Sequence, residues 1–345
     1  MSEEKEESIF PKDFYQYDTD DMKGAIKDFP KQIKEAYSLG KDVDFQGEIN
    51  RIVVAGMGGS AIAGDILKSY LSFEKINVDV SRSYDLPIHV DEKTLVFISS
   101  YSGNTEETIS AYRAALRNDC KIVAITSGGK VKEFAEKNRH KLILIPSGIQ
   151  PRAALAYSFF PIVKVLENLR IVSNKQADVE RLIKAVSKDI YEETGIKLSE
   201  KLVDKTPIIY SSELFAPVAY RWKTQLNENA KTMAFYHLFS ELNHNELEGY
   251  KNRKGDFHVI NLKVDVDNRR ILKRMDVTKE ILRREGVDVT DIAVKGDTFL
   301  TKLFSAIYMG DWTSYYLALR YKTNPSSVSV IEDFKKKLGQ SGSFL

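Results

Sequence analysis

The segment Arg51-Ile-Val-Val-Ala-Gly-Met-Gly-Gly-Ser60 decides the fold of this chain. Its apolar run is followed by three glycines within four positions, and residues 61–67 then have the apolar spacing of a helix. The same order of strand, loop and helix recurs when the apolar run 94–98 leads through Ser99-Ser-Tyr-Ser-Gly-Asn-Thr-Glu-Glu-Thr108 into a helix that starts near Thr105. Two such units indicate an α/β fold.

Strands and helices alternate along most of the chain. In the first half we predict strands 51–56, 76–81, 94–99, 121–126 and 141–146, with helices 60–72, 105–117 and near 131–138. In the second half we predict strands 206–210, 256–262 and 287–294, with helices 217–231, 268–285 and 298–321. This alternation predicts two α/β domains, each a parallel sheet flanked by helices in three layers.

The domain organisation follows from these elements. We predict an N-terminal helical arm at 1–50, a first domain with phosphate-binding loops at 51–155, a helical connection at 156–205 and a second domain at 206–345. The 51 basic and 49 acidic side chains nearly cancel, so the charge favours neither a nucleic-acid nor a membrane partner. The single cysteine, Cys120, fits a reducing cytoplasm, and the N-terminus lacks the apolar core of a signal peptide.

The two loops have the composition of a phosphate site. Each follows the carboxyl end of a strand, where open α/β sheets bind ligands, and each offers free N–H groups at a helix start. Hydroxyl groups add neutral donors, and these belong to Ser60, Ser100, Ser102 and Thr105. Gly59 would allow the backbone to approach the phosphate closely. A small sugar phosphate suits such loops, although glycine and serine also serve as ordinary turn and cap residues.

A dinucleotide site is the competing interpretation of the first loop. Gly56 to Ala61 fits the pattern G-x-G-x-x-A, and the acidic residue Asp79 follows further on. A dinucleotide would leave the second hydroxyl loop unexplained. The sequence therefore favours the sugar phosphate.

With these loops the chain resembles the sugar isomerase (SIS) domain family. Asn227-Glu228-Asn229, the segment around His244 and the C-terminal stretch 324–338 narrow the resemblance to the archaeal-type bifunctional phosphoglucose/phosphomannose isomerases. The resemblance implies a homodimer that interconverts glucose 6-phosphate or mannose 6-phosphate with fructose 6-phosphate through an enediolate, without a metal or other cofactor.

The resemblance assigns the proton transfer to Glu228, which would move a proton between C1 and C2 of the sugar. General bases of this kind contribute on the order of 10²- to 10⁴-fold to a rate. Arg152, after the strand end at Pro151, matches the active-site arginine of the family. Its permanent positive charge suits the enediolate, because an arginine does not lose its proton to the base.

Two further residues have roles implied by the resemblance. His244 lies among amides and acids, matches the histidine thought to open the sugar ring, and would reach the site from the neighbouring subunit. Thr313 matches the threonine thought to leave room for rotation about C2–C3, so that both C2 epimers present their hydrogen to one base.

Three alternatives remain open at this point. His237, Glu241 and His244 have the spacing of one helix face and could ligate zinc. The same fold could support isomerisation or deamination of an amino-sugar phosphate. A third possibility is a regulator that binds a sugar phosphate without converting it.

Overall fold

The computed structural model describes residues 12–74 and 76–340, and in this part of the chain the first domain is a sheet of five parallel strands. Their spatial order is β2-β1-β3-β4-β5. The strands are β1 (Arg51–Ala55), β2 (Val78–Ser81), β3 (Thr94–Ser99), β4 (Lys121–Thr126) and β5 (Lys141–Leu144).

Alternate residues of β1 face opposite sides of this sheet. Ile52 and Val54 pack into a large core that both domains share, whereas Val53 and Ala55 pack into a separate apolar cluster. Since helices cover both faces, the strands are apolar on both sides, as is typical of parallel sheets.

The first half of the chain contains eight α-helices among the described residues. They are α1 (Met22–Lys27), α2 (Phe29–Ser38), α3 (Gly58–Tyr70), α4 (Glu106–Arg117), α5 (Gly129–Lys137), α6 (Leu155–Asn168), α7 (Gln176–Val186) and α8 (Ile190–Lys201). Of these, α7 and α8 pack against the last long helix of the second domain. The ring of Phe29 stacks on Phe304 and Tyr308, so the N-terminal arm is held against the last long helix of the second domain. Residues 1–11 of the predicted arm lie outside the described residues.

The second domain contains a parallel sheet of four strands among the described residues, in the order β7-β6-β8-β9. The strands are β6 (Thr206–Ser212), β7 (Phe235–Phe239), β8 (Phe257–Val264) and β9 (Asp288–Val294). Its helices are α9 (Ala216–Ala230), α10 (Glu246–Gly249), α11 (Arg269–Arg284), α12 (Phe299–Arg320) and α13 (Ser329–Gln340).

These elements confirm the prediction of two α/β domains, each with a parallel sheet between helices. In the second half, strand β7 is an element that the sequence did not predict, and it carries His237. Glu241 and His244 lie on a separate short 3-10 turn. The shared helix face that would have ligated zinc therefore does not exist. The predicted helical connection at 156–205 contains most of α6 and the two helices α7 and α8.

Among the residues that the structure describes, we find no helix with the length and apolar character needed to span a bilayer.

Candidate active site

Three chain segments meet at the carboxyl edge of the first sheet. A Cβ added to Gly56 would lie 2.7 Å from the carbonyl oxygen of Ser99, so the first loop runs directly beside the second. A Cβ added to Gly59 would lie 3.1 Å from the carbonyl oxygen of Pro151, which brings the turn with Arg152 against the first loop. Glycine is needed at Gly56 because a contact below 3.0 Å leaves no room for a side chain.

The second loop is shaped by its own hydrogen bonds. The buried Ser100 hydroxyl donates to Oγ1 of Thr105 over 3.1 Å and accepts from the N–H of Gly103, also over 3.1 Å. Gly103 has φ +70°, and a Cβ there would lie 1.8 Å from the carbonyl oxygen of Gly128. Ser102 is exposed at the tip and accepts from the N–H of Asn104.

Both loops open onto helix starts that have no side-chain cap. Met57 precedes α3 and Thr105 precedes α4, and neither side chain accepts a bond from the helix that follows. The first N–H groups of a helix lack partners within it and carry the positive end of the helix dipole. Both helix starts are therefore suited to an anion, and hydroxyls of Ser60 and Thr105 lie beside them.

Arg152 lies buried next to these loops, with 5 % of its surface exposed. Its Nε donates to Oδ1 of Asn229 over 2.6 Å, and its Nη2 donates to the carbonyl oxygens of Pro325 and Ser326 over 2.5 and 2.8 Å. Burial lowers the pKa of this guanidinium, while the charge of Glu228 raises it. An arginine begins from a pKa above 12, so the side chain enters the site as a fixed cation.

Glu228 is the acid closest to this cation. Its Oε2 lies 3.6 Å from Nη1 of Arg152, and its side chain is about one third exposed, at 32 %. The carboxylate thus has one face towards the arginine and another open to a ligand. The structure brings together Arg152, Glu228 and Gly59, and both hydroxyl loops lie at the same edge of the sheet.

Lys231 ends the helix that carries Glu228. It has φ +53°, and its Nζ donates to the carbonyl oxygens of Glu228, Asn229 and Asn324 over 2.7, 3.1 and 2.7 Å. Although the residue is exposed overall, its ammonium is thus surrounded by backbone carbonyls. Burial of the ammonium, followed by the charge of Arg152, lowers the pKa of Lys231 to about 8.

A buried polar network anchors the arginine turn to α12. Nη2 of Arg221 donates to the carbonyl oxygen of Arg152 over 2.8 Å and to both carboxylate oxygens of Asp311 over 3.0 and 3.1 Å. Gln225 donates to the same carboxylate over 2.7 Å. Burial raises the pKa of Asp311, and Arg221 opposes that rise.

Sequence reasoning missed this network, although one pattern would have indicated it. Arg221, Gln225 and Asn229 recur every fourth position along α9, which places them on one helix face. All three are buried, and Nδ2 of Asn229 donates to Oγ of Ser314 in α12 over 2.9 Å. Polar side chains on the face that a helix buries are hydrogen-bonded, so such a stripe marks a buried polar network.

His244 lies away from Glu228 within one chain. Helix α9 starts at the carboxyl edge of the second sheet and carries Glu228 at its far end, about 20 Å away at 1.5 Å per residue. Strand β7 then returns to the carboxyl edge, and His244 follows it as an exposed residue. The structure therefore does not bring His244 to the glutamate of its own chain.

Thr313 is completely buried in α12. Its hydroxyl donates to the carbonyl oxygen of Met309 in the same helix over 2.8 Å. The next residue, Ser314, contacts Asn229 and thereby the arginine. The helix turn that carries Thr313 thus packs behind the site, and its role in specificity stays a prediction.

Comparison with known proteins agrees with this geometry. Residues 48–167 match the SIS domain model, and residues 191–338 match the model described as bacterial phospho-glucose isomerase C-terminal SIS domain. A bifunctional phosphoglucose/phosphomannose isomerase of Caldicellulosiruptor bescii is 42% identical over 333 residues, which cover 92% of this chain and 98% of the relative. The chain belongs to the bifunctional phosphoglucose/phosphomannose isomerase family. Further members that carry the same name are 34 to 39% identical over 83 to 85% of this chain.

Two further proteins with other names are similar to this chain. A D-glucosamine-6-phosphate 4-epimerase of Sulfolobus acidocaldarius is 36% identical over 228 residues, 65% of this chain and 72% of the relative. The solved structure of a hypothetical protein of Thermus thermophilus superposes with a TM-score of 0.73 at 16% identity, covering 95% of this chain and 92% of that one. The latter likeness concerns the fold alone.

Proposed function

We propose that this chain interconverts glucose 6-phosphate and mannose 6-phosphate with fructose 6-phosphate by metal-independent proton transfer. The observation that carries the proposal is the pairing of Glu228 with the buried Arg152 over 3.6 Å, at the edge where two hydroxyl loops converge. Relatives of this family with high coverage carry both activities in their names.

The phosphate of the substrate would lie on the two uncapped helix starts. Ser60, Ser102 and Thr105 supply hydroxyl donors there, and the backbone at Gly59 supplies an N–H. Ser100, predicted as a further donor, is buried and donates its proton to Oγ1 of Thr105, so it would position that hydroxyl for the phosphate. None of these groups carries a charge, so the phosphate is held by directed hydrogen bonds and by the helix dipoles.

The reactive carbons of the sugar would lie against the open face of the Glu228 carboxylate and beside Arg152, because the two side chains are only 3.6 Å apart. Glu228 takes the proton from C2 of the aldose, and the C1 carbonyl oxygen becomes the enediolate oxygen. The proton of the C2 hydroxyl passes to that oxygen, and the same carboxyl returns its proton to C1 as the C2 carbonyl forms. Arg152 faces the negative charge that develops on the oxygen, and removal of one such donor typically costs on the order of 10²- to 10³-fold in rate. The hydrogen bonds to Asn229, Pro325 and Ser326 hold the guanidinium in place for this step.

Ring opening would use His244 of the partner subunit in a homodimer. The exposed position of His244, at the opposite end of its own domain from Glu228, supports this assignment. A second copy of the chain supplies the histidine without any rearrangement of the fold. Thr313, behind the site, would let both C2 epimers bind.

We also propose a reducing compartment, the cytoplasm. The sole cysteine of the sequence, Cys120, is buried, and burial raises the pKa of its thiol to about 11. With a single cysteine, the sequence offers no pair for a disulfide within the chain, and this supports the proposed compartment.

The test is the formation of fructose 6-phosphate from each aldose in the presence of EDTA. We expect turnover of both sugars by the unaltered chain and a loss of about 10²- to 10⁴-fold in kcat for Glu228→Gln, which removes the base. Glu136→Gln on the exposed face of α5 serves as the control and should keep full activity. An unaltered chain that converts neither aldose contradicts the proposal.

A second candidate is amino-sugar phosphate chemistry, which the similarity to a D-glucosamine-6-phosphate 4-epimerase favours. It is tested by incubating the chain with glucosamine 6-phosphate and measuring ammonia release and the C4 epimer. Conversion of that sugar with no conversion of glucose 6-phosphate would make this candidate the better one.

A further inference from the structure

The residue that follows helix α9 has a backbone conformation that is uncommon for its type. Lys231 comes three residues after Glu228 and has φ +53°, in the left-handed region, and its backbone N–H donates to the carbonyl oxygen of Leu226. This terminal position favours glycine, because a left-handed backbone is unfavourable for residues that carry a side chain. The contacts of the lysine side chain give a physical reason for its presence here.

The ammonium group of Lys231 joins the end of α9 to a segment that lies far away in the sequence. Nζ donates to the carbonyl oxygens of Glu228 and Asn229, which belong to the last helical turn and lack partners within the helix. It also donates to the carbonyl oxygens of Asn324 and Pro325, over 2.7 and 3.3 Å. One side chain thus ties the helix end to the segment 324–326.

The same segment holds the active-site arginine. Nη2 of Arg152 donates to the carbonyl oxygens of Pro325 and Ser326 over 2.5 and 2.8 Å, so the carbonyl of Pro325 accepts from both cations. Glu228 completes this set of contacts, because its Oε2 lies 3.6 Å from Nη1 of Arg152. Since Lys231 attaches the turn with Glu228 to the segment that accepts from Arg152, these contacts set the distance between carboxylate and guanidinium.

We propose that Lys231 is a positioning residue, which fixes Glu228 relative to Arg152 by holding the segment 324–326 against the end of α9. This rests on the proposed function, in which the carboxylate and the guanidinium act on the sugar. Lys231 itself does not bind the substrate, because its ammonium already donates to carbonyl oxygens of the chain. A displacement of about 1 Å in an active site can cost on the order of 10²-fold in rate, so the loss of these contacts lowers kcat.

The charge of the ammonium strengthens these contacts. The ionisable side chains around it are those of Arg152, Glu228, Asp204, Lys205 and Tyr321. Burial and then the charge of Arg152 lower the pKa of Lys231 to about 8, and Glu228 opposes this shift. Loss of the proton removes the charge and one of three N–H donors. We therefore expect kcat to fall as the pH rises through the pKa of this group.

Steady-state kinetics of the full-length chain with both aldoses tests the role of Lys231. For Lys231→Met we expect kcat to fall about tenfold or more and KM to change little, because the phosphate loops are unaltered. Lys322→Met is the matched control, since Lys322 also has a left-handed backbone, with φ +54°, and is exposed after α12. It should keep the kcat of the unaltered chain. An unchanged kcat for Lys231→Met overturns the proposal.

Chemical restoration of the ammonium separates positioning from folding. Lys231→Cys can be alkylated with bromoethylamine, whereby the thiolate displaces bromide and gives a side chain of the length of lysine that ends in an ammonium. Cys120 is buried, and burial raises the pKa of its thiol to about 11, so it stays unmodified. Mass spectrometry checks that one group is added to the variant and none to the unaltered chain.

The alkylated variant should regain most of the kcat that Lys231→Cys loses. Its kcat should also fall at lower pH than in the unaltered chain, because the sulfur atom makes the amine less basic. A folded, singly alkylated variant that stays as slow as Lys231→Cys contradicts the proposal, and circular dichroism checks the folding. An alkaline fall in kcat at the same pH as in the unaltered chain would assign that fall to another group and contradict the role of the charge.

Hydrogen–deuterium exchange tests the contacts of Lys231 without reference to activity. A peptide that covers residues 324–328 should exchange faster in Lys231→Met than in the unaltered chain and in Lys322→Met. Equal exchange in all three overturns the proposal. Faster exchange in Lys231→Met, together with an unaltered chain that converts neither aldose, refutes the proposed function and keeps the attachment of 324–326 by Lys231.

Discussion

Nε of Arg152 lies 2.6 Å from Oδ1 of Asn229, a residue with no exposed surface that follows Glu228 directly. One helix end thus provides both the base and the group that orients the cation. Because adjacent residues on a helix point about 100° apart, Glu228 faces the open site while Asn229 faces the buried guanidinium.

Asn229→Ala should therefore reduce kcat more than it changes KM. The substitution leaves Nε of Arg152 without its acceptor, and an unsatisfied buried donor costs about 1–3 kcal/mol. We expect a fall in kcat of about tenfold to a hundredfold, by the same principle. Steady-state kinetics with both aldoses measures this split.

The control for this variant is Asn168→Ala. Asn168 donates two hydrogen bonds to backbone carbonyls of Gly40 and Lys41, far from the arginine. The Asn168→Ala variant should have a lower free energy of unfolding and an unchanged kcat. If Asn229→Ala lost stability but kept its kcat, Asn229 would have only a structural role.

Gly103→Ala should abolish phosphate binding by the second loop. A left-handed φ of +70° and a Cβ position 1.8 Å from the carbonyl oxygen of Gly128 leave no room for the methyl group. Strain of this kind costs about 1–3 kcal/mol from the backbone alone. We expect the KM for the sugar phosphates to rise at least tenfold, and fructose 6-phosphate to lose its effect on the melting temperature.

Gly339→Ala is the matched change for this test. A Cβ at Gly339 meets nothing within 4 Å, and alanine favours a helix by about 1 kcal/mol over glycine. Binding should be unaffected by this variant. Normal substrate affinity in Gly103→Ala would show that the second loop does not hold the phosphate.

The lowered pKa of Lys231 predicts how folding stability depends on pH. Its pKa is about 8 in the folded chain, below the ordinary value of 10.5. Between about pH 8 and 10.5 the unfolded chain therefore holds a proton that the folded chain has lost, and folding stability gains from this group as the pH rises.

The measurement is the free energy of unfolding at pH 7.5, 9 and 10 for the unaltered chain and for Lys231→Met. As the pH rises, the free energy of unfolding of the unaltered chain should increase relative to that of Lys231→Met, because methionine does not titrate. Lys336→Met, on the exposed helix α13, should show no such trend. A constant difference for Lys231→Met would mean that the lysine has an ordinary pKa.

The sequence predicted the strands and helices in which apolar residues recur at the spacing of that element. Apolar runs such as 52–55 are typical of covered parallel strands, so parallel sheets between helices followed from the alternation of strands and helices. Strand β7 was missed because its run Phe235 to Phe239 is short and contains His237, whose spacing to Glu241 and His244 also fits one helix face. The sequence pattern therefore did not decide between a strand and a helix at this place.

For the candidate site, the sequence indicates residue types but not the contacts between distant residues. Hydroxyl loops and an acid beside amides are visible in sequence. The network of Arg221, Gln225 and Asp311 is not, because it depends on how α9 packs against α12, some 90 residues later. The spacing of Arg221 and Gln225 on one helix face is visible in the sequence, but their partner Asp311 is set by the tertiary fold and has no local signature.

The sharing of the site between two chains leads to the last prediction. Glu228→Gln and His244→Ala should each be inactive as homodimers. A mixture of the two should regain activity, because each mixed dimer contains one site with Glu228 of one chain and His244 of the other intact. With equal amounts and random exchange, half of the dimers are mixed and half of their sites are intact, so about a quarter of full activity is expected.

The exchange has to be confirmed before the activity is interpreted. Mass spectrometry of the native mixture, with one variant carrying an affinity tag, measures the fraction of mixed dimers. The recovered isomerase activity should rise in proportion to that fraction. As a control, a mixture of Glu228→Gln with Arg152→Gln should recover no activity, because one chain supplies both residues to a site. Mixed dimers that stay inactive would mean that each chain completes its site with its own histidine, which requires β7 and the turn that carries His244 to move by about 20 Å, the length of helix α9.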